Sequence, residues 1–118
     1  MKNMKKILAL ALVVMSVIAI ALPAMAEVWS NRYGDAELYS NTPGDVDAYV
    51  RNVQRDLNKY FQNYPSYQIT VDGYYGQDTK AAVRRFQGYM GLSVDGRTGN
   101  QTKTKLWDVY QGTIAPLP

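Results

Sequence analysis

The sequence predicts an all-α protein, a small three-helix bundle built around two Asp-Gly turns that each lead into a helix. Three observations carry this. A unit, Val71-Asp72-Gly73-Tyr74-Tyr75-Gly76-Gln77-Asp78-Thr79, returns 23 positions later as Val94-Asp95-Gly96-Arg97-Thr98-Gly99-Asn100-Gln101-Thr102. Apolar residues recur at helical spacing in three stretches. Each stretch ends at a residue that stops helices: Pro65, Gly91 and Gly112.

The repeated unit has a readable chemistry. Asp72-Gly73 and Asp95-Gly96 mark turns, because the carboxylate bonds backbone further along and Gly accepts positive φ. Gly76 and Gly99 stand where a helix would start, a position that tolerates Gly. Lys80 and Lys103 follow the Thr of each copy, and Val83 and Leu106 lie four past it. Two copies are too few for a solenoid, so the repeat is a duplication inside one small domain.

The chain opens with Lys2, Lys5 and Lys6, an uncharged apolar run from Ile7 to Leu22, and Pro23-Ala24-Met25-Ala26. This is the pattern of a cleaved secretory signal peptide over residues 1–26; a retained membrane anchor is the alternative. Its three lysines equal the whole net charge of +3, so residues 27–118 are neutral and give no electrostatic case for nucleic acid. Cleavage leaves no stable membrane insertion. No Cys follows the apolar run to carry a lipid. The chain has no His and no Cys, which removes His bases, thiol nucleophiles and His or Cys metal ligands. No metal and no cofactor is expected.

Residues 27–44 show no clear period but hold Trp29, Tyr33, Leu38 and Tyr39. They read as an irregular N-terminal arm docked through those side chains, or as a disordered linker. The domain proper is expected over 45–112. Asp45 is the expected N-cap of the first helix, over about 46–63, with Val46, Tyr49, Val50, Val53, Leu57, Tyr60, Phe61 and Tyr64 on its apolar spacing. Tyr67 to Val71 reads as a strand or a loop. The second helix is expected over about 77–90, with Thr79, Ala82, Val83, Phe86, Tyr89 and Met90 as its stripe. The third spans about 100–110, with Thr102, Leu106, Val109 and Tyr110 inward and Trp107 partly packed. Residues 113–118 form an extended tail. The expected core is Val50, Val53, Leu57, Phe61, Val83, Phe86, Leu92, Val94, Leu106 and Val109.

In this order and spacing, Val50, Val53-Gln54, Leu57, Asp72-Gly73, Tyr75-Gly76, Thr79, Ala82-Val83, Phe86-Gln87, Gly91-Leu92, Asp95-Gly96, Gly99, Thr102 and Leu106 resemble the three-helix peptidoglycan-binding domain found beside many cell-wall hydrolases. The resemblance covers roughly residues 46–110. It implies a structural turn and core motif of Asp72, Gly73, Tyr75, Gly76, Thr79, Phe86, Gly96, Gly99, Thr102 and Leu106, with Tyr75 an aromatic core residue. It also implies a bacterial wall ligand and a secreted, cell-wall-associated location. The sequence departs from the family pattern at Asn63 to Gln68, which is tyrosine-rich and lacks the usual Gly turn.

The candidate ligand residues are Tyr74, Arg84, Arg85, Asp95 and Arg97. Tyr offers a flat face and a hydroxyl to sugars and stem peptides, and a guanidinium matches a stem-peptide carboxylate. Against these stand ordinary packing for the tyrosine, a solvated helix face for the arginines and plain turn formation for Asp95. Tyr60, Tyr64 and Tyr67 form a candidate interaction patch at the end of the first helix. Three functions follow: a secreted, non-catalytic peptidoglycan-binding module, most simply a monomer; a protein–protein module that recruits or regulates a cell-wall hydrolase; and a small hydrolase. The last needs two placed carboxylates, and no pair stands out, so the chain is read as not an enzyme.

Overall fold

Helix α1, Asp47–Tyr60, turns Val50, Val53, Gln54, Asp56, Leu57 and Tyr60 inward and puts Asp47 in its first turn, where a carboxylate suits the helix dipole. The computed structural model describes residues 30–42 and 45–118. The expected signal peptide and cleavage site, and Trp29, lie outside the described residues. Asp45 does not cap α1 as expected; Val46 precedes the helix in extended backbone, with no side-chain cap. The Asp45 carboxylate accepts instead from the backbone N–H groups of Tyr39 (3.1 Å), Ser40 (2.8 Å) and Asn41 (2.6 Å). Three converging loop amides hold it away from the helix end.

α1 stops at Tyr60, short of the expected 63, and Pro65 opens a single 3₁₀ turn, Pro65–Tyr67. The following residues are not a strand. Asn58 serves the Ile69 backbone from both sides, accepting from its N–H (2.9 Å) and donating to its carbonyl (2.8 Å). A side-chain amide thus meets the hydrogen bonds a sheet partner would have met.

Helix α2, Gln77–Met90, buries Thr79, Ala82, Val83, Phe86 and Gln87, and Gly91 closes it at φ 69°. Helix α3, Asn100–Gln111, buries Thr102, Lys103, Leu106, Trp107 and Val109, and Gly112 closes it at φ 83°. α1 packs on both, more extensively on α3. Tyr89 and Tyr110, expected inward, lie outward. Tyr89 still meets the rings of Tyr60 and Phe61 edge-on. The Arg32 guanidinium covers one face of Tyr110, 3.6 Å from its centroid.

Most of the expected core is buried, with two corrections. Leu92 is half-buried and Val94 is 58% exposed. The inner side of the second turn is taken by the Gln87 amide, so Val94 faces out. The core also takes in Tyr33 and Leu38 from the arm, Tyr75 from the first turn, and Tyr60. Each such burial contributes about 1.5–3 kcal/mol.

The described part of the arm is therefore integral to the core. Its backbone is helical over 30–33, and Leu38 makes an antiparallel bridge to Thr98, with N–H to carbonyl distances of 3.2 and 2.8 Å. Arg32 grips the Asp56 carboxylate of α1 with two bonds of 2.8 Å, and the Tyr33 hydroxyl donates to it at 2.5 Å. The buried Lys103 ammonium donates to the carbonyls of Gly34 (2.9 Å) and Ala36 (2.5 Å). At the other end the tail lies over α1: Leu117 N–H donates to the Tyr60 carbonyl at 2.8 Å, and Ile114 and Leu117 pack on the core.

Candidate ligand-binding site

The two turns are held by one device used twice. Gln54 of α1 accepts the N–H groups of Asp72 (3.0 Å) and Gly73 (2.9 Å) on its carbonyl oxygen. Its amide nitrogen donates toward the Asp72 carboxylate (3.0 Å), the Tyr74 carbonyl (3.1 Å) and the Thr79 hydroxyl (3.0 Å). Gln87 of α2 repeats every bond one copy later. It accepts from Asp95 and Gly96 at 3.0 Å, and donates to the Asp95 carboxylate (2.8 Å), the Arg97 carbonyl (2.9 Å) and the Thr102 hydroxyl (3.1 Å). Only a primary amide offers both a two-lone-pair acceptor and two donors at that reach. Both glutamines are fully enclosed.

Each Asp completes its turn by accepting the N–H two residues on, Tyr74 or Arg97, at 2.9 Å. The bond from the Tyr74 N–H, then the Gln54 amide, holds the Asp72 carboxyl below its ordinary range. Burial pushes Asp95 upward, but the Arg97 N–H and the Gln87 amide outweigh it and leave that carboxyl lowered as well. Both are ionised acceptors, the opposite of what a general acid requires. Gly73 has φ 78°, left-handed backbone that strains any other residue, and a Cβ there would have to displace the Asp47 carboxylate.

The outer sides of the turns carry matching clefts. One, of about 180 Å³, is lined by Thr70, Asp72, Tyr74, Asp78 and Thr79. Its counterpart, of about 250 Å³, is lined by Ser93, Asp95, Arg97, Asn100 and Thr102. A third cleft, of about 190 Å³, opens where the arm meets α2 and the second turn, and brings Lys80, Arg84, Asp95 and Arg97 together with Tyr39 and Ser40.

Of the candidate ligand residues, Arg84, Asp95 and Arg97 share that third cleft. Tyr74 is 59% exposed on the first turn and lines the first cleft. Arg85 does not join them; its guanidinium stacks on Tyr67, 3.9 Å from the ring centroid. The tyrosine patch is largely covered. Tyr60 is buried, Tyr64 and Tyr67 are half-buried and stacked on each other, and the Tyr64 hydroxyl donates to the Pro118 carbonyl of the tail.

Lys80, Glu37, Tyr39 and Ser40 were not among the candidates. Lys80 was legible, since it stands four residues before Arg84 on one helix face. The arm residues were not, because nothing local says where an irregular segment docks.

Fold and turns together define a helical module with a duplicated polar clamp. The chain belongs to the family described as a putative peptidoglycan binding domain, whose model matches residues 46–106. Both clamps, Arg84, Asp95 and Arg97 lie inside that match; Glu37, Tyr39 and Ser40 lie before it. Over 50 residues, 42% of this chain, it is 40% identical to a zinc D-Ala-D-Ala carboxypeptidase of Streptomyces albus G, covering 20% of that protein. Over 36 residues, 30% of this chain, it is 58% identical to the N-acetylmuramoyl-L-alanine amidase CwlL of Bacillus licheniformis, covering 10% of it. A probable N-acetylmuramoyl-L-alanine amidase of the same organism is 53% identical over the same length. The matched segments thus span a fifth or less of these relatives. No solved structure matches the chain.

Proposed function

We propose that this protein is a secreted, non-catalytic module that binds peptidoglycan through the cleft between the arm, α2 and the second Asp-Gly turn, with Tyr74 on the neighbouring turn. The observation that carries this is the convergence of Arg84, Asp95 and Arg97 on the outer side of a domain whose family is described as peptidoglycan-binding. Asp72 and Asp95 are tied into their turns by the Gln54 and Gln87 amides and the backbone, and the chain has no His or Cys; both support binding without catalysis. The lysines, apolar run and Ala-Met-Ala of residues 1–26 support export to the wall. A protein–protein role through Tyr60, Tyr64 and Tyr67 is disfavoured, because Tyr60 is buried and the tail lies over the patch.

Co-sedimentation of residues 27–118 with purified sacculi, at low and moderate salt, tests the reading. Retention in the pellet at both salts is the expected result. Protein left in the supernatant with several wall types would overturn it.

A further inference from the structure

Lys80 and Arg84 of the third cleft differ from the arginines outside it. The arginines of α1 are engaged: Arg51 pairs with Asp47 and Arg55 bonds Asn52. Arg32 is locked to Asp56, and Arg85 lies on Tyr67. Lys80 and Arg84 face the same cleft four residues apart, and neither side chain has a hydrogen-bond or ion-pair partner among the described residues. Two like charges at this spacing repel, so their pairing is unfavourable unless an anion joins them.

The cleft also has a shape. The Arg84 side chain runs along Gly96, whose Cβ, if present, would stand 3.1 Å from Arg84 Nε. Tyr39 and Ser40 of the arm also line it. Arg97 closes one side, its guanidinium 4.3 Å from the Tyr39 ring centroid and its Nε donating to the Glu37 carboxylate at 2.5 Å. Asp95 is turned to the Gln87 amide and the Arg97 N–H, and its charge keeps a second anion away from that side.

We infer that this cleft is a carboxylate seat: Lys80 and Arg84 receive a free peptide carboxylate, and Glu37 is the internal carboxylate that occupies the neighbouring Arg97 and moderates the attraction. The Glu37–Arg97 pair shows that a guanidinium at the edge of the cleft already takes a carboxylate. A guanidinium matches the planar two-oxygen shape of a carboxylate, whereas sugar hydroxyls and acetamido groups carry no charge to answer two unpaired cations. The inference rests on the peptidoglycan-binding reading and names the group recognised, the stem-peptide carboxylate rather than the glycan. Tyr39 and Ser40 of the lining, and Glu37 beside Arg97, precede the family match at 46–106.

The test uses sacculi stripped of phosphate polymers, and the same sacculi after carbodiimide coupling to ammonia, which turns carboxylates into carboxamides. Residues 27–118 should bind the amidated sacculi about fivefold or more weakly. K80Q/R84Q should bind native sacculi equally weakly and be indifferent to amidation. E37Q should bind native sacculi about two- to fivefold more tightly and remain sensitive to amidation. Thermal melts of the variants, whose changes lie on the surface, should match the parent. Equal binding of the parent to native and amidated sacculi, or an unchanged K80Q/R84Q, would overturn the carboxylate seat while leaving wall binding standing. Binding seen only before phosphate polymers are removed would overturn it in favour of a phosphodiester. No binding to any sacculus would remove the wall reading itself and the seat with it.

Discussion

The phenolic oxygen of Tyr75 lies 2.9 Å from the hydroxyl oxygen of Thr98, the residue at the same position in the second copy of the turn. Tyr75 donates its proton to the Gly96 carbonyl at 2.8 Å, which leaves Thr98 as donor in their pair. Burial raises the Tyr75 pKa, so the phenol stays protonated at any physiological pH. Through the backbone bridge of Thr98 to Leu38, this enclosed point joins both turns and the arm.

Y75F should cost about 1–2 kcal/mol, because it strips a buried carbonyl and a buried hydroxyl of a partner. T98V should cost a similar amount, and the double variant should cost less than the two together. Urea unfolding of the four proteins measures this. Strict additivity would show that the hydroxyl pair does not couple the copies.

Q87A and Q54A should each cost about 2–4 kcal/mol, since five enclosed bonds disappear and turn N–H groups are left unmet. Q87E should be worse than Q87A. It places a carboxylate where the amide now sits 2.8 Å from the Asp95 carboxylate. Thermal melts rank the three, and amide exchange of Gly96 should quicken most in the Gln87 variants.

Removal of residues 27–42 should abolish cooperative unfolding, because it takes Tyr33 and Leu38 from the core and strips Asp56 and Lys103 of their partners in the arm. D56N should weaken the attachment, cutting the melting temperature and opening the arm to protease. A folded, cooperative 43–118 fragment would show the arm to be dispensable.

Acid should loosen the turns first. Asp72 and Asp95 have folded pKa values below the ordinary 3.8, so the stability they contribute is fully present above that pH. It is lost as pH falls below 3.8 and through the folded values, where the native state must take up protons it otherwise refuses. D72N/D95N should therefore be less stable than the parent at neutral pH and show a shallower fall in stability between about pH 4 and pH 2. Melting curves across that range decide it.

Much of this molecule was readable residue by residue. The second and third helices fall within a residue of where periodicity and the Gly stops place them, and the Asp-Gly turns form where the dipeptides stand. Such features depend on neighbours a few positions away, and hydrophobic period, turn residues and Gly at positive φ report those directly. The errors share the opposite cause. Asp45 was read as a cap because it precedes a helix, yet three amides of the folded-back arm claim it. Val94 was placed in the core by its type, while Gln87, a polar residue, owns that interior place.

The sequence by itself determined three helices, their stops and a duplicated turn, because each follows from local backbone preference and from apolar spacing along one face. Tertiary structure alone decided that Gln54 and Gln87 clamp the turns, that Tyr33 and Leu38 complete the core, that Glu37 meets Arg97 across 60 residues, and that Arg97 shares a cleft with Lys80 and Arg84. Those relationships join segments with no local preference for one another, and only the burial of a shared core brings them within reach.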